Sequence, residues 1–274
     1  MVVPGARFTA TESPCRTKTT SFGFVPSDNA EPMPEDSEGT RAAGPVTAAT
    51  DRLKATAASF DDSALGEPSL CPGWTRAHVL AHVARNADAL TRLLTWARTG
   101  HEHHMYPSAQ ARAADIEAGA RQPAAELVQD VHESAERFAK AIMEMPDHGW
   151  EQVVRPGLAG QGEPIPSRRV LWLRLRELEI HHADLRADYG PADWPDAFVR
   201  RALDETIRSF SRRDDVPAFA VSVDGRPAEP LAQDARVTVS GSAPALLAWL
   251  CGRSTGADLT VDPAGHLPIL PSWL

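Results

Sequence analysis

From Trp172 to Leu185 the chain reads WLRLRELEIHHADL, a run without proline or glycine whose polar residues fall where its apolar ones should be. A helix turns about 100° per residue, which puts Val170, Glu177, Leu178, His181, Asp184 and Leu185 on one stripe. Trp172, Arg176, Glu179, Ala183 and Arg186 lie opposite and are expected to point outward. A carboxylate and an imidazole four residues apart therefore stand on the face that should meet a core. Burying such groups is costly unless they are paired or bound to a metal, so any fold of this chain must bring them a partner. Mutual satisfaction of Glu177 and His181 at helical spacing is the plain reading, and a shared ion is the alternative.

A second run has the same anomaly. In WTRAHVLAHVARNADALTRLLTWART, Trp74 to Thr99, an apolar face is formed by Val79, Val83, Leu90, Leu93, Leu94 and Ala97. His82 and Asn86 fall inside that face, His78 falls at its edge, and Ala81, Arg85, Asp88 and Arg92 point away. One inward histidine on this helix and an inward Glu with His on the other make two imidazoles and a carboxylate. That is the ligand set of an open divalent site, with a position left for water or a substrate atom.

The rest of the chain supplies a scaffold for these two helices. Val46 to Phe60 reads as a first helix, Ser108 to Ala118 as a short one, and Pro123 to about Met145 as a third long helix with Leu127, Val131, Ala135, Phe138 and Ile142 inward. Ser69 to Trp74 is a turn, and Thr75 caps the Trp74 helix. Pro146 to Pro166 is a Gly- and Pro-rich connector. Four main helices pack most economically as an antiparallel bundle over residues 44–190. Beyond Tyr189 the texture changes to a helix near Asp196 to Ser211 and three alternating runs, Phe219 to Gly225, Ala235 to Gly241 and Ala257 to Pro263. A helix capped by Ser242 and stopped by Gly252 separates the last two, giving a small α/β domain over 191–274. Its SGS turn lacks a GKS or GxGxxG pattern, so phosphate binding there is a weak reading. The fold class is α+β.

Composition narrows the function. The formal net charge is −9 with no basic cluster, which disfavours a nucleic-acid surface. Cys15, Cys71 and Cys251 are odd in number and lack CxxC spacing. No disulfide framework or thiolate metal site follows, and a cytoplasmic protein is expected; a role for Cys71 beside the site helix stays open. No apolar run approaches the roughly 18 residues of a membrane span. His101, His103 and His104 cluster in a polar stretch that reads as an exposed loop. Residues 1–43, rich in Pro, Ser, Thr and Gly, read as a disordered tail, and Met33 is an alternative natural start that would leave residues 1–32 outside the protein.

An ion held by His82, Glu177 and His181 would be zinc first, with nickel or iron also compatible with the ligand types. No HExxH motif is present to supply a hydrolase with its base, whereas an external thiol needs none, because a metal can take up a thiolate directly. At this point PGWTRAHVLAHVARNADAL, HMYPSAQAR, LWLRLRELEIHHADL, VTVSGSAPALLAWLCGR and the closing PSWL are similar, in order and spacing, to the mycothiol-dependent maleylpyruvate isomerases of the DinB-like superfamily of metal-dependent thiol transferases. The resemblance implies a DinB-like helical bundle carrying the metal and a C-terminal domain resembling the sterol carrier fold. It also implies metal ligation by His82, Glu177 and His181, a functional arginine at Arg253, and mycothiol as cosubstrate. The implied reaction is thiolate addition to the cis double bond of maleylpyruvate, rotation, and elimination to fumarylpyruvate, with Arg253 binding a substrate carboxylate or stabilising the enolate. Asn86 and Arg174 are candidates for further contacts near the ion, with ordinary buried hydrogen bonding as the alternative for each. The alternatives are a mycothiol S-transferase acting on another electrophile in detoxification or natural-product assembly, and a non-catalytic metal-binding bundle. Oligomeric state is not legible.

Overall fold

A computed structural model describes residues 38–232 and 234–273. Most of the segment read as a tail, including Met33, lies outside the described residues. Helix α1 (Glu38–Ala58) begins before the expected first helix. It is followed by α2 (Asp62–Leu65), α3 (Arg76–Thr99), α4 (Ala109–Ala120), α5 (Ala124–Met143) and α6 (Arg169–Asp184). Ser108 caps α4 by accepting from the Ala111 N–H at 3.0 Å. Thr75 starts α3, but there the cap is shared with a histidine, because the Thr75 N–H donates to Nδ1 of His78 at 3.2 Å. At the other end Gly100, at φ 73°, supplies the left-handed residue that returns a hydrogen bond to the Trp96 carbonyl.

Helix α3 packs on α4, α5 and α6, and α1 packs on α5 and α6, so four long helices share one core. The outward face expected for α3 is only partly outward. Arg85 and Asp88 pair with Asp130 and Arg137 of α5, but Ala81 is buried. The cause is α4, which lies over it: a Cβ at Gly119 would come within 2.8 Å of the Ala81 Cβ, so the two helices approach where both side chains are smallest. The Gly/Pro-rich connector is not structureless either; Val153–Val154 (β1) and Ile165–Pro166 (β2) pair antiparallel across it.

The C-terminal region holds α7 (Asp196–Phe210), α8 (Ala243–Leu250) and a four-stranded sheet. Its strands are β3 (Ala220–Val223), β4 (Glu229–Pro230), β5 (Thr238–Gly241) and β6 (Thr260–Asp262), in the order β4-β3-β5-β6. The central pair β3 and β5 is parallel, with Val221 opposite Val239, and the two edges are antiparallel. Strand β4, two residues long and containing Pro230 at an edge, is too short for alternation to announce it. The expected cap at Ser242 is present, accepting from Ala245 N–H.

Helix α6 joins the two regions and corrects the largest expectation about it. Val170, Leu171, Leu178 and Leu185 belong to the helical core. Trp172, Ile180 and Ala183 belong to a second core with Trp194, Phe198, Phe210, Phe219, Val239, Leu246 and Trp249. Trp172, Glu179 and Ala183, expected on an outward face, are therefore buried. A helix covered on both sides has no solvent stripe, and each large apolar side chain buried on its second face contributes roughly 1.5–3 kcal/mol. Among the described residues no helix is long and apolar enough to cross a membrane.

Candidate metal centre

Helix phase and the α3/α6 contact bring together three groups far apart in the chain. His82 Nε2 lies 2.9 Å from Glu177 Oε2, and His181 Nε2 lies 3.4 Å from the same oxygen. The two imidazoles meet edge to face with ring centres 4.6 Å apart. One ligand atom from each of the three residues lies within 4.8 Å of the others. Ligands about 2 Å from a tetrahedral ion stand about 3.3 Å apart, so the donor types and their spacing fit a divalent cation. Trp74 covers His82, its ring centre 5.6 Å away.

Charge is distributed unevenly over the triad. Burial alone would raise the Glu177 carboxyl, but hydrogen bonds from His181 and His82 outweigh it and hold the group well below the usual carboxylate range. Burial drives His82 down to about 4, against the pull of Glu177, so this ring is neutral near pH 7. Burial also works against the charged form of His181. Its bonds to Asp184, Cys71 and Glu177 win, and the ring is held well above the ordinary histidine value. A cation in the centre would exchange with that proton, as metal binding to histidine generally does.

Behind His181 stands a second layer. Asp184, fully buried, accepts from His181 Nδ1 at 2.8 Å and from Arg253 through two bonds, Nε to Oδ1 at 2.9 Å and Nη2 to Oδ2 at 2.8 Å. Cys71 Sγ donates to Asp184 Oδ2 at 3.2 Å. Arg253 also caps its own helix end, donating to the Cys251 carbonyl at 2.7 Å. Cys71, His181 and Asp184 form another close donor set, but the Arg253 guanidinium already occupies both Asp184 oxygens. This set orients His181 instead of offering a second ion site.

The comparisons with known proteins converge on this architecture. Residues 46–186 match the model of the mycothiol maleylpyruvate isomerase N-terminal domain, and residues 189–272 match the MDMPI C-terminal domain. The chain belongs to the mycothiol-dependent maleylpyruvate isomerase family. Two solved structures are similar to it: the crystal structure of the mycothiol-dependent maleylpyruvate isomerase and that of its variant with a histidine replaced by alanine. Each has 30% sequence identity and a TM-score of 0.80, covering 86% of this chain and 97% of the other. No curated protein matches.

Asn86 and Arg174, candidates for contacts near the ion, are bonded to each other, Arg174 Nη1 donating to Asn86 Oδ1 at 2.9 Å and to the Val83 carbonyl at 2.8 Å. With 1% exposure, Arg174 ties α6 to α3. His101, His103 and His104 are exposed and stand apart from the triad. His78 is committed to its cap and to Glu117, 3.4 Å away. Two participants were not singled out as site residues from the sequence. Asp184 shares the stripe of Glu177 and His181, so the spacing to His181 was the available signal. Arg112 of α4, whose Nη2 lies 3.2 Å from His82 Nδ1, sits on a helix with little amphipathic pattern, and its only sequence signal was its place at the end of the HMYPSAQAR stretch.

Proposed function

We propose that the protein converts maleylpyruvate to fumarylpyruvate with mycothiol as cosubstrate. The observation that carries this is the meeting of His82 with Glu177 and His181, 95 residues apart for the first pair, in a chain whose two regions both match the family. We further propose that α1, α3, α5 and α6 form a DinB-like antiparallel four-helix bundle, that the region beyond about residue 190 resembles the sterol carrier fold, and that the protein works in the cytoplasm. The shared core of the four helices and the small mixed sheet support the first two.

His82, Glu177 and His181 would hold the ion, with zinc suited to this nitrogen and oxygen donor set. When bound, it supplies the Lewis acidity that keeps a thiol as thiolate at neutral pH. The chain's own groups prepare that chemistry. Glu177 stays ionised, His82 stays neutral, and Asp184 fixes which nitrogen of His181 faces the centre. Trp74 excludes water from one side of His82. Sulfur adds to one carbon of the cis alkene and the electron pair moves onto the conjugated carbonyl as an enolate. The new single bond rotates, the double bond re-forms, and the thiolate departs unchanged, so the reaction is redox-neutral and regenerates its thiol. Arg253 enters this scheme as a positioning residue, through Asp184 and His181.

The test is conversion of maleylpyruvate followed with and without mycothiol. Thiol-dependent appearance of fumarylpyruvate is expected, and its absence at full metal occupancy would reject the assignment.

A further inference from the structure

Arg253 and Arg112 each stand behind one histidine of the proposed centre, and they are occupied differently. Arg253 is neutralised by both oxygens of Asp184. Arg112 is half-buried, and among the described residues no carboxylate pairs with it. Its partners are Nδ1 of His82 at 3.2 Å and Tyr106, which it meets through the ring, 5.6 Å from the guanidinium carbon to the ring centre, and through a side-chain hydrogen bond. A guanidinium withdrawn from water without an anion is an unfavourable arrangement that an anionic ligand would relieve.

The bond to His82 also has a specific consequence. An arginine can only donate, so His82 Nδ1 accepts, and the single N–H of this neutral ring lies on Nε2, where it donates to Glu177. Once Nε2 is committed to a cation, that N–H must lie on Nδ1, where it faces the guanidinium donor to donor. Arg112 then loses its acceptor beside His82 while remaining on α4 at the edge of the centre. We propose that Arg112 is the substrate-anion site: it binds a carboxylate of the electrophile and places the alkene next to the thiol. This deepens the reading given under the proposed function and rests on it. It also divides the labour, with Arg253 supporting a ligand and Arg112 meeting the substrate.

The experiment uses the zinc-loaded full chain and two unreactive probes, succinate and its neutral dimethyl ester, with binding measured by calorimetry and zinc content measured in the same samples. The expected result is that the wild type binds succinate and not the ester. Arg112→Ala should weaken succinate binding about 10- to 100-fold, the effect of one charge-assisted contact, and Arg112→Lys should fall between, both with wild-type zinc content. Unchanged succinate affinity in Arg112→Ala would overturn the proposal. So would parallel loss of zinc, which would assign Arg112 to supporting His82, and so would absence of succinate binding by the wild type. Failure of the isomerase reading appears separately, as no thiol-dependent turnover of maleylpyruvate by a wild type whose succinate binding is intact.

Discussion

Glu177 and Glu179 stand two residues apart on one helix, both withdrawn from water, and their surroundings give them opposite uses. Glu179, 1% exposed, accepts from Arg52 at 2.7 Å and from the Tyr189 hydroxyl, while its backbone carbonyl takes the Trp194 indole N–H at 2.9 Å. A fixed cation and a phenol saturate it, and nothing is left to bind a ligand. Among the described residues the partners of Glu177 are imidazoles, which can give up a proton and turn a lone pair toward a common point. Burial raises the Glu179 carboxyl despite Tyr189 and Arg52, whereas Glu177 is held low by its histidines. What distinguishes a site from a strut here is whether the partners of the carboxylate can themselves become ligands.

The contrast can be broken most directly at the ligands. Glu177→Gln or His181→Ala should lose the ion and reduce turnover by on the order of 1,000-fold or more, since one of three protein ligands is removed; metal analysis beside the isomerase assay reads both. Asp184→Asn should weaken metal affinity by about 10- to 100-fold, the usual effect of losing the group that orients a ligating histidine. Arg253→Ala should follow in the same direction with a smaller loss of affinity, because Asp184 remains, and a competition titration with a chelator ranks the pair. Glu179→Gln should leave metal content and turnover nearly unchanged and cost about 1–3 kcal/mol of stability, measured by denaturant unfolding, because Arg52 loses a charged partner. If Glu179→Gln emptied the centre as Glu177→Gln does, the separation of the two faces would be wrong.

The smallest effect concerns pH on the structural side. His182 is buried against Thr56, 2.8 Å from its hydroxyl, and stacked on Tyr189 with ring centres 4.0 Å apart. Burial lowers its pKa from 6.5 to about 4. The unfolded chain therefore takes up a proton that the folded one refuses, and this group's contribution to stability, present above pH 6.5, is lost as pH falls toward 4. The melting temperature of His182→Gln should fall less steeply than that of the wild type over this window. Equal slopes would show that His182 does not carry the dependence.

Much of the centre was legible because helical phase is local. The inward placement of His82 follows from Val79, Val83 and Leu90 around it, and the joint orientation of Glu177 and His181 follows from their four-residue spacing. The caps at Thr75 and Ser242 were readable for the same reason, since each involves neighbours within a turn. Glu179 and Trp172 were misplaced because a wheel assumes one buried face, and α6 has two. Its second face joins the core that α7, α8 and the sheet share, and no local pattern on α6 announces what will pack there.

By itself, then, the order of residues determined that two helices would each carry polar groups on an apolar face, and that those groups were imidazoles and a carboxylate suited to one ion. Only the tertiary structure decided which group each arginine meets. The Asp184 to Arg253 bonds close over 69 residues and the His82 to Arg112 contact closes over 30. Such pairings depend on how whole elements pack, and the periodicity of a single helix reports the direction of a side chain without reporting what will meet it.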